Sequence, residues 1–138
     1  MQPKIIMSEL KAAVGISREW NARKAGREVA RKTIEKLGED PQVVLLFCTI
    51  HYRDNGGIKN FLKGAREILP RKTKIIGGSI TGFLTKEITC IRGACALGLS
   101  YDKMDVVLGY GKNTKRHPKM AGYKCSKMIR KKLKKSKY

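Results

Sequence analysis

The first third of the chain contains short apolar runs followed by a segment with helical periodicity. A short strand is predicted at residues 4–7, and a second apolar run follows at residues 12–16. Ser17 is a suitable N-cap for a helix that runs to about Leu37. Gly38 can then end this helix in a left-handed conformation. Basic residues occupy most positions between the apolar ones, so the exposed face of the helix is predicted to be basic.

Two further strands and a second helix are predicted before the middle of the chain. Residues 42–48 form a continuous apolar run, which is typical of a central strand covered on both faces. Residues 58–69 repeat apolar side chains at helical spacing, and Pro70 ends this helix. Residues 74–76 form a third strand, predicted to be buried and central. The order strand, helix, strand, helix, strand is typical of helices packed on a largely parallel sheet.

The pattern changes after Gly82, where the apolar runs become short and closely spaced. The strand candidates are residues 82–85, 88–91, 94–99 and 106–110. Their spacing leaves no room for crossover helices and predicts an antiparallel meander. Pro118 is suited to the first position of a last helix. The predicted fold class is therefore α/β, with a mixed sheet, a βαβαβ first half, an antiparallel meander and a C-terminal helix, the helices packed on the sheet.

Length and composition favour one globular domain. The chain has 138 residues, 41% of them hydrophobic, which is enough to bury a core. No run approaches the roughly 18 apolar residues that a membrane helix needs. The first residues lack the apolar core of a secretion signal, because Glu9 and Lys11 interrupt it. A cytoplasmic protein is predicted.

Positive charge is concentrated at the C-terminal end. The chain carries 31 Lys and Arg against 11 Asp and Glu, a formal net charge of +20. Residues 112–138 hold twelve of these cations and no carboxylate, which leaves a net charge of +8 for residues 1–111. This asymmetry indicates attraction to a polyanion such as nucleic acid or the ribosome, although a solvated lysine-rich tail explains it equally well.

The most distinctive local feature is the glycine- and hydroxyl-rich segment of residues 77–82. It follows the third predicted strand, at the end of the sheet where ligands bind in α/β folds. The segment is read as a turn whose backbone amides and hydroxyls can hold a small polar ligand. A tight connection between two strands explains the glycines as well. The predicted ligand-binding residues are Gly77, Gly78, Ser79, Thr81 and Gly82, with His51 as a polar neighbour.

His51 is also the one candidate for acid–base chemistry. Asp54 lies close in sequence and can orient the ring, and Cys48 or Ser79 can approach it in space as a nucleophile. Loop histidines without a catalytic role are far more common. The prediction is therefore a protein that is not an enzyme, with a hydrolase as the weak alternative and no catalytic residues assigned.

The four cysteines indicate neither a disulfide scaffold nor a zinc site. Cys90 and Cys95 are separated by four residues, whereas zinc sites favour a tighter pair and a second pair of ligands. Cys48 lies in an apolar run, where a reduced thiol packs as a small hydrophobe. No metal or cofactor is predicted.

The last predicted helix and its tail, residues 116–138, provide a second candidate surface. A narrow apolar stripe is surrounded by cations that can contact a phosphate backbone. Few aromatic residues accompany them, so binding is expected to be electrostatic and independent of sequence. The residues of this alternative site are Lys124, Lys127, Arg130, Lys131, Lys132, Lys134 and Lys135.

The order of these patterns resembles the N-terminal half of the FIST family of intracellular sensory proteins. The resemblance rests on the alanine-rich helix at residues 25–30, the strand at residues 43–47, the helix ending in Leu69 and Pro70, and above all the segment Ile75-Ile76-Gly77-Gly78-Ser79-Ile80-Thr81-Gly82. It spans roughly residues 16–133. It consists of hydrophobic and glycine positions and contains no catalytic signature.

The resemblance implies a non-enzymatic ligand-sensing or signal-transduction module. The family is thought to bind small molecules, among them amino acids. Its members usually continue into a second domain, and their pattern does not include strong basicity. For this chain the resemblance therefore implies a small polar ligand as a partner, with a homodimer and a polyanion as further candidate partners.

Overall fold

The computed structural model describes residues 9–133, which divide into two compact units at residues 104 and 105. The strand predicted at residues 4–7 lies outside the described residues, as do Lys134 and Lys135. The first unit contains β1 (Lys11–Ser17), α1 (Ala22–Leu37), β2 (Val43–Thr49), a 3₁₀ turn (Ile50–Arg53), α2 (Ile58–Ile68), β3 (Lys74–Ile80), β4 (Phe83–Leu84), β5 (Thr89–Cys90) and β6 (Ala94–Ser100). The second contains α3 (Pro118–Leu133). A single domain stays a prediction.

The main sheet is mixed, as the sequence predicts. Its four strands lie in the order β1-β6-β2-β3. Strands β2 and β3 are parallel, whereas β6 is antiparallel to both β1 and β2. The α/β class, the mixed sheet and the C-terminal helix are therefore confirmed.

Helix α1 begins four residues later than predicted. Ser17 is the last residue of β1, where its hydroxyl bonds to Glu28. Asn21 is the N-cap instead, and its side chain accepts hydrogen bonds from the backbone N–H groups of Arg23 and Lys24. The end is as predicted, because Gly38 adopts φ +78° directly after Leu37.

Both helices of the first unit pack on one face of the sheet. Alternate residues of β2 and β6 form the floor of this core, and α1 and α2 cover it. The buried cluster comprises Ala22, Ala25, Val29, Ala30, Val44, Leu46, Cys48, Tyr52, Phe61, Ala65, Leu69, Ala94 and Ala96. The intervening residues Leu45 and Phe47 point to the other face and are half-buried. The central position of β2 is confirmed, but these two helices cover it on one face only.

The prediction of a buried, central third strand is wrong. β3 is the last strand of the sheet, and most of its residues are exposed. The reason is topological, because β6 returns to the middle of the sheet and pairs with β2 on the side away from β3. The strand is also longer than predicted. It includes residues 77–80, which were expected to form a turn, and the chain bends only at Thr81 and Gly82.

The predicted meander is only partly formed. Strands β4 and β5 pair with each other as a separate short hairpin, and β6 joins the main sheet. The strand predicted at residues 106–110 is wrong, because these residues adopt neither helix nor strand. In the second unit this segment packs on α3 instead. A Cβ atom on Gly109 would lie 2.8 Å from the carbonyl oxygen of Cys125.

Candidate ligand site

A cleft of about 420 Å³ lies between α2 and β3, where the helix leaves the edge strand uncovered. Leu46 and Cys48 of β2 form its floor, and Phe61 of α2 contributes one wall. The remaining lining residues are Ile58, Leu62, Arg66, Ile75, Ile76, Gly77, Gly78 and Ser79. Three of the six residues predicted to bind a ligand, Gly77, Gly78 and Ser79, are therefore brought together here.

The two adjacent glycines have different structural roles. A Cβ atom on Gly77 would lie 1.7 Å from the carbonyl oxygen of Leu46, so this glycine lets β3 approach β2. A Cβ atom on Gly78 would meet nothing within 4 Å. Gly77 is thus explained by strand packing alone, whereas no contact of the described structure requires a glycine at position 78. Ser79 is the exposed hydroxyl of the strand.

Thr81 and Gly82 are not among the lining residues of this cleft. Thr81 is exposed, and it lies between β3 and the hairpin. A Cβ atom on Gly82 would lie 2.9 Å from the carbonyl oxygen of Cys90. This glycine therefore permits a close approach to β5 inside the hairpin connection.

His51 also lies outside the cleft lining, in a separate polar cluster. Its Nδ1 atom is 2.7 Å from the hydroxyl of Thr49, and its ring packs against Tyr52 and Trp20. The Nε2 atom is buried and has no hydrogen-bond partner among the described residues. Burial and the positive charge of Arg92 lower the pKa of His51 below its ordinary value. Both effects favour the neutral form of the ring.

The geometry does not assemble the hydrolase alternative. Within the described part of the chain, no hydrogen bond connects His51 to Ser79 or Cys48. Burial raises the pKa of the Cys48 thiol, which favours the unreactive protonated form. Residues 9–133 also contain no group of three His, Cys, Asp or Glu side chains that could hold a metal ion.

Arg66 is the polar lining residue that the sequence reasoning missed. Its Nη1 group donates a 2.8 Å hydrogen bond to the carbonyl oxygen of Thr73, which fixes the guanidinium beside the cleft. The signal was present in the spacing, because Ile58, Leu62 and Arg66 follow one another at four-residue intervals along one face of α2. The cleft thus combines an apolar floor with a hydroxyl and a cation.

The basic surface of the second unit is exposed as a helix face. Lys124, Lys127, Arg130, Lys131 and Lys132 are all exposed on α3. A shallow groove of about 600 Å³ runs along part of this face, next to Tyr123, Lys127, Arg130 and Lys131. The Lys127 ammonium lies 6.0 Å from the centre of the Tyr123 ring.

No protein-family model matches this chain, and no curated protein matches it. The resemblance to the FIST family therefore rests only on the sequence pattern given above and stays a prediction. In the described residues, no helix is both long enough and apolar enough to cross a membrane.

Proposed function

We propose that the protein is a non-enzymatic sensory module that binds a small carboxylate-bearing molecule, such as an amino acid, between α2 and β3. The observation that carries this proposal is the position of Arg66 in the same cleft as Gly77, Gly78 and Ser79. Three of these four residues belong to the segment that resembles the FIST family. The fourth supplies the charge that an anionic ligand needs.

The cleft has the size and lining that a small ligand requires. Its volume of about 420 Å³ falls within the range of about 300–1,000 Å³ that is usual for small-molecule sites. Leu46, Phe61 and Ile75 offer apolar contacts to one end of a ligand. Ser79 can donate or accept one hydrogen bond. The cleft therefore matches a molecule with one apolar and one polar end.

Arg66 is the group that favours a carboxylate over a neutral ligand. One of its nitrogens bonds to Thr73, and the guanidinium has further N–H groups that can donate to a ligand. Hydrogen bonds between arginine and a carboxylate are charge-assisted and are stronger than neutral ones. The described lining contains the Ser79 hydroxyl and the Cys48 thiol but no His, Asp or Glu side chain that could act as their base, so the cleft is suited to sensing.

Thermal-shift screening against the standard amino acids and small carboxylates tests the proposal. A ligand present at about 100 times its Kd stabilises the folded protein by about 2.7 kcal/mol, which is readily measured. Ser79→Ala and Arg66→Gln should weaken the ligand found. For Arg66→Gln the loss should be about tenfold or more, because a hydrogen bond to a charged group contributes about 1.5–3 kcal/mol.

Thr81→Ala is the matched control, because it removes a hydroxyl two residues away that lies outside the cleft lining. Circular dichroism of Arg66→Gln shows whether the loss of the Thr73 contact affects folding. The proposal fails if no small carboxylate stabilises the protein. It also fails if Ser79→Ala and Thr81→Ala have the same effect on affinity.

A second candidate function is the binding of nucleic acid through α3. The specific observation is the set of six exposed cations on this helix, Lys119 and the five named above, in a segment of 27 residues without a carboxylate side chain. Tyr123 is 62% exposed beside them and can stack on an unpaired base. This function uses a different surface, so the two candidates can be tested separately.

Fluorescence anisotropy with single-stranded RNA at several salt concentrations tests this second function. For single strands log K falls against log salt with a slope whose magnitude is about 0.7 per neutralised phosphate. A triple change of Lys127, Arg130 and Lys131 to Gln should therefore reduce the magnitude of this slope by about 2. Changing Lys24, Arg31 and Lys36 of α1 to Gln removes the same charge elsewhere. Equal effects of the two triple changes, or binding that does not depend on salt, would exclude an interface on α3.

A further inference from the structure

The outer edge of β3 is a strand edge with few features that block pairing. Among residues 9–133, β3 is terminal in the sheet and pairs with β2 on one side only. Its seven residues include no proline, and their one charged side chain is Lys74 at the start. Edge strands are normally protected by prolines, bulges or several charges, because their backbone groups are a template for another strand.

The other terminal strand, β1, is protected by charged neighbours. A shallow depression beside Ile16 of β1 is lined by Glu28, Lys32 and Lys36 of α1 and by Glu87 of the hairpin. These charged groups would have to lose water if another strand approached. The two edges of the same sheet therefore differ in character, and β3 is the more accessible one.

Exposed aliphatic side chains accompany the β3 edge. Ile58 and Leu62 of α2 are 37% and 45% exposed, and Ile76 of β3 is 46% exposed. All three line the cleft between α2 and β3. An unpaired strand and an aliphatic patch on the flanking helix thus occur at the same border of the molecule. Both would be stabilised by a second surface that supplies a strand and apolar contacts.

We propose that β3 pairs antiparallel with β3 of a second copy of this chain, about a two-fold axis at Gly77. Its sequence is self-complementary in that register. Ile76 of one copy lies opposite Gly78 of the other, so each isoleucine occupies the space that a glycine leaves. Ile75 lies opposite Ser79, and the two Lys74 residues are at opposite ends of the pair. No like charges face each other within the strands.

The axis places both copies of α2 on the same side of the joined sheet. Stable interfaces bury about 800 Å² per partner, so contact between the patches formed by Ile58 and Leu62 is part of the interface. Lys59, Lys63 and Arg66 are exposed on the same helix and repel their counterparts. Added salt screens this repulsion and should strengthen the dimer. In this assembly the second copy forms the outer wall of the ligand cleft.

Sedimentation equilibrium of the full chain over the micromolar to millimolar range, at low and high salt, tests the pairing. Gly78→Lys is the decisive variant, because its side chain meets open space within one copy but brings a charge to the paired strands, opposite Ile76 of the other copy. Ala12→Lys is the matched control, since it adds the same side chain to an exposed position on β1. We expect a dimer that Gly78→Lys shifts at least tenfold towards monomer and Ala12→Lys leaves unchanged.

Hydrogen exchange of residues 74–80 gives a second readout. Their amides should gain protection as the protein concentration rises, and Gly78→Lys should abolish that gain while circular dichroism stays unchanged. A monomer at all concentrations would overturn the proposal. A dimer that Gly78→Lys and Ala12→Lys affect equally would do so too. Ligand binding in the cleft is measured independently, so the two proposals can fail separately.

Discussion

Gly77 faces the backbone of Leu46 so closely that a Cβ atom on it would lie 1.7 Å from the Leu46 carbonyl oxygen. The two residues are register partners in the parallel pair of β2 and β3. The glycine that first suggested a ligand cradle is therefore needed by the sheet itself. Its neighbour Gly78, which lacks any such contact, is the one whose missing side chain leaves open space.

We predict that Gly77→Ala destabilises the protein, because the new methyl group forces β3 away from β2. Overpacking of this kind typically costs about 1–3 kcal/mol. Urea unfolding followed by circular dichroism measures the loss. Gly78→Ala is the control and should change the free energy of unfolding by no more than about 0.5 kcal/mol. Equal losses for the two variants would contradict the role given to Gly77.

Gly26→Ala should also destabilise the protein, although alanine is the better helix former by about 1 kcal/mol. A Cβ atom on Gly26 of α1 would lie 2.1 Å from the carbonyl oxygen of Phe61 in α2. Since backbone rather than a flexible side chain is in the way, the two helices must separate. Gly122→Ala in α3 meets nothing within 4 Å and should show only the gain in helix propensity. A stabilised Gly26→Ala variant would refute this tight helix contact.

Asn21→Ala should lower the free energy of unfolding by about 1 kcal/mol, because the Asn21 side chain accepts two backbone N–H groups at the start of α1. Asn21→Asp keeps an acceptor oxygen in the same place and should retain most of the stability. Thermal or urea unfolding of the three proteins measures the difference. An Asn21→Ala variant as stable as Asn21→Asp would show that this cap contributes nothing.

Stability should fall as the pH drops below 6.5, in a way that depends on His51. Its folded pKa is lowered from 6.5 by burial and by Arg92, so the unfolded chain binds the proton more readily. The contribution is therefore fully present above pH 6.5 and is lost as the pH falls towards the lower folded pKa. The lowered carboxylate pKa values of Glu28, Glu39 and Glu67 act in a more acidic window, below their ordinary value of 4.5.

Urea unfolding at several pH values from 6.5 down to 4.5, which is above the window of the carboxylates, isolates the histidine. His51→Gln should flatten the dependence of stability on pH there. His117→Gln is the control, because His117 is exposed in the second unit and the variant should keep the slope of the parent. An unchanged slope in His51→Gln would show that the proton is taken up elsewhere.

Part of the candidate site follows from local pattern alone. The segment of residues 74–82 combines strand formers, glycines and hydroxyls, and five of its residues line a cleft, three of them among the predicted ligand-binding residues. The pattern could not show where the strand ends, because glycine is compatible with both turns and close strand pairing. The exclusion of His51 and the inclusion of Arg66 depend on contacts between distant parts of the chain.

The sequence by itself determined the helices, the central strand β2 and the concentration of charge after residue 111, because these depend on periodicity and on composition. The sequence also determined the end of α1 at Gly38 and the start of α3 at Pro118, since each depends on the backbone preference of one residue. Only the tertiary structure decided the strand order. Because β6 lies between β1 and β2, β3 pairs with the other side of β2 and forms the edge of the sheet. The exposed border of β3 creates both the cleft and the proposed dimer contact.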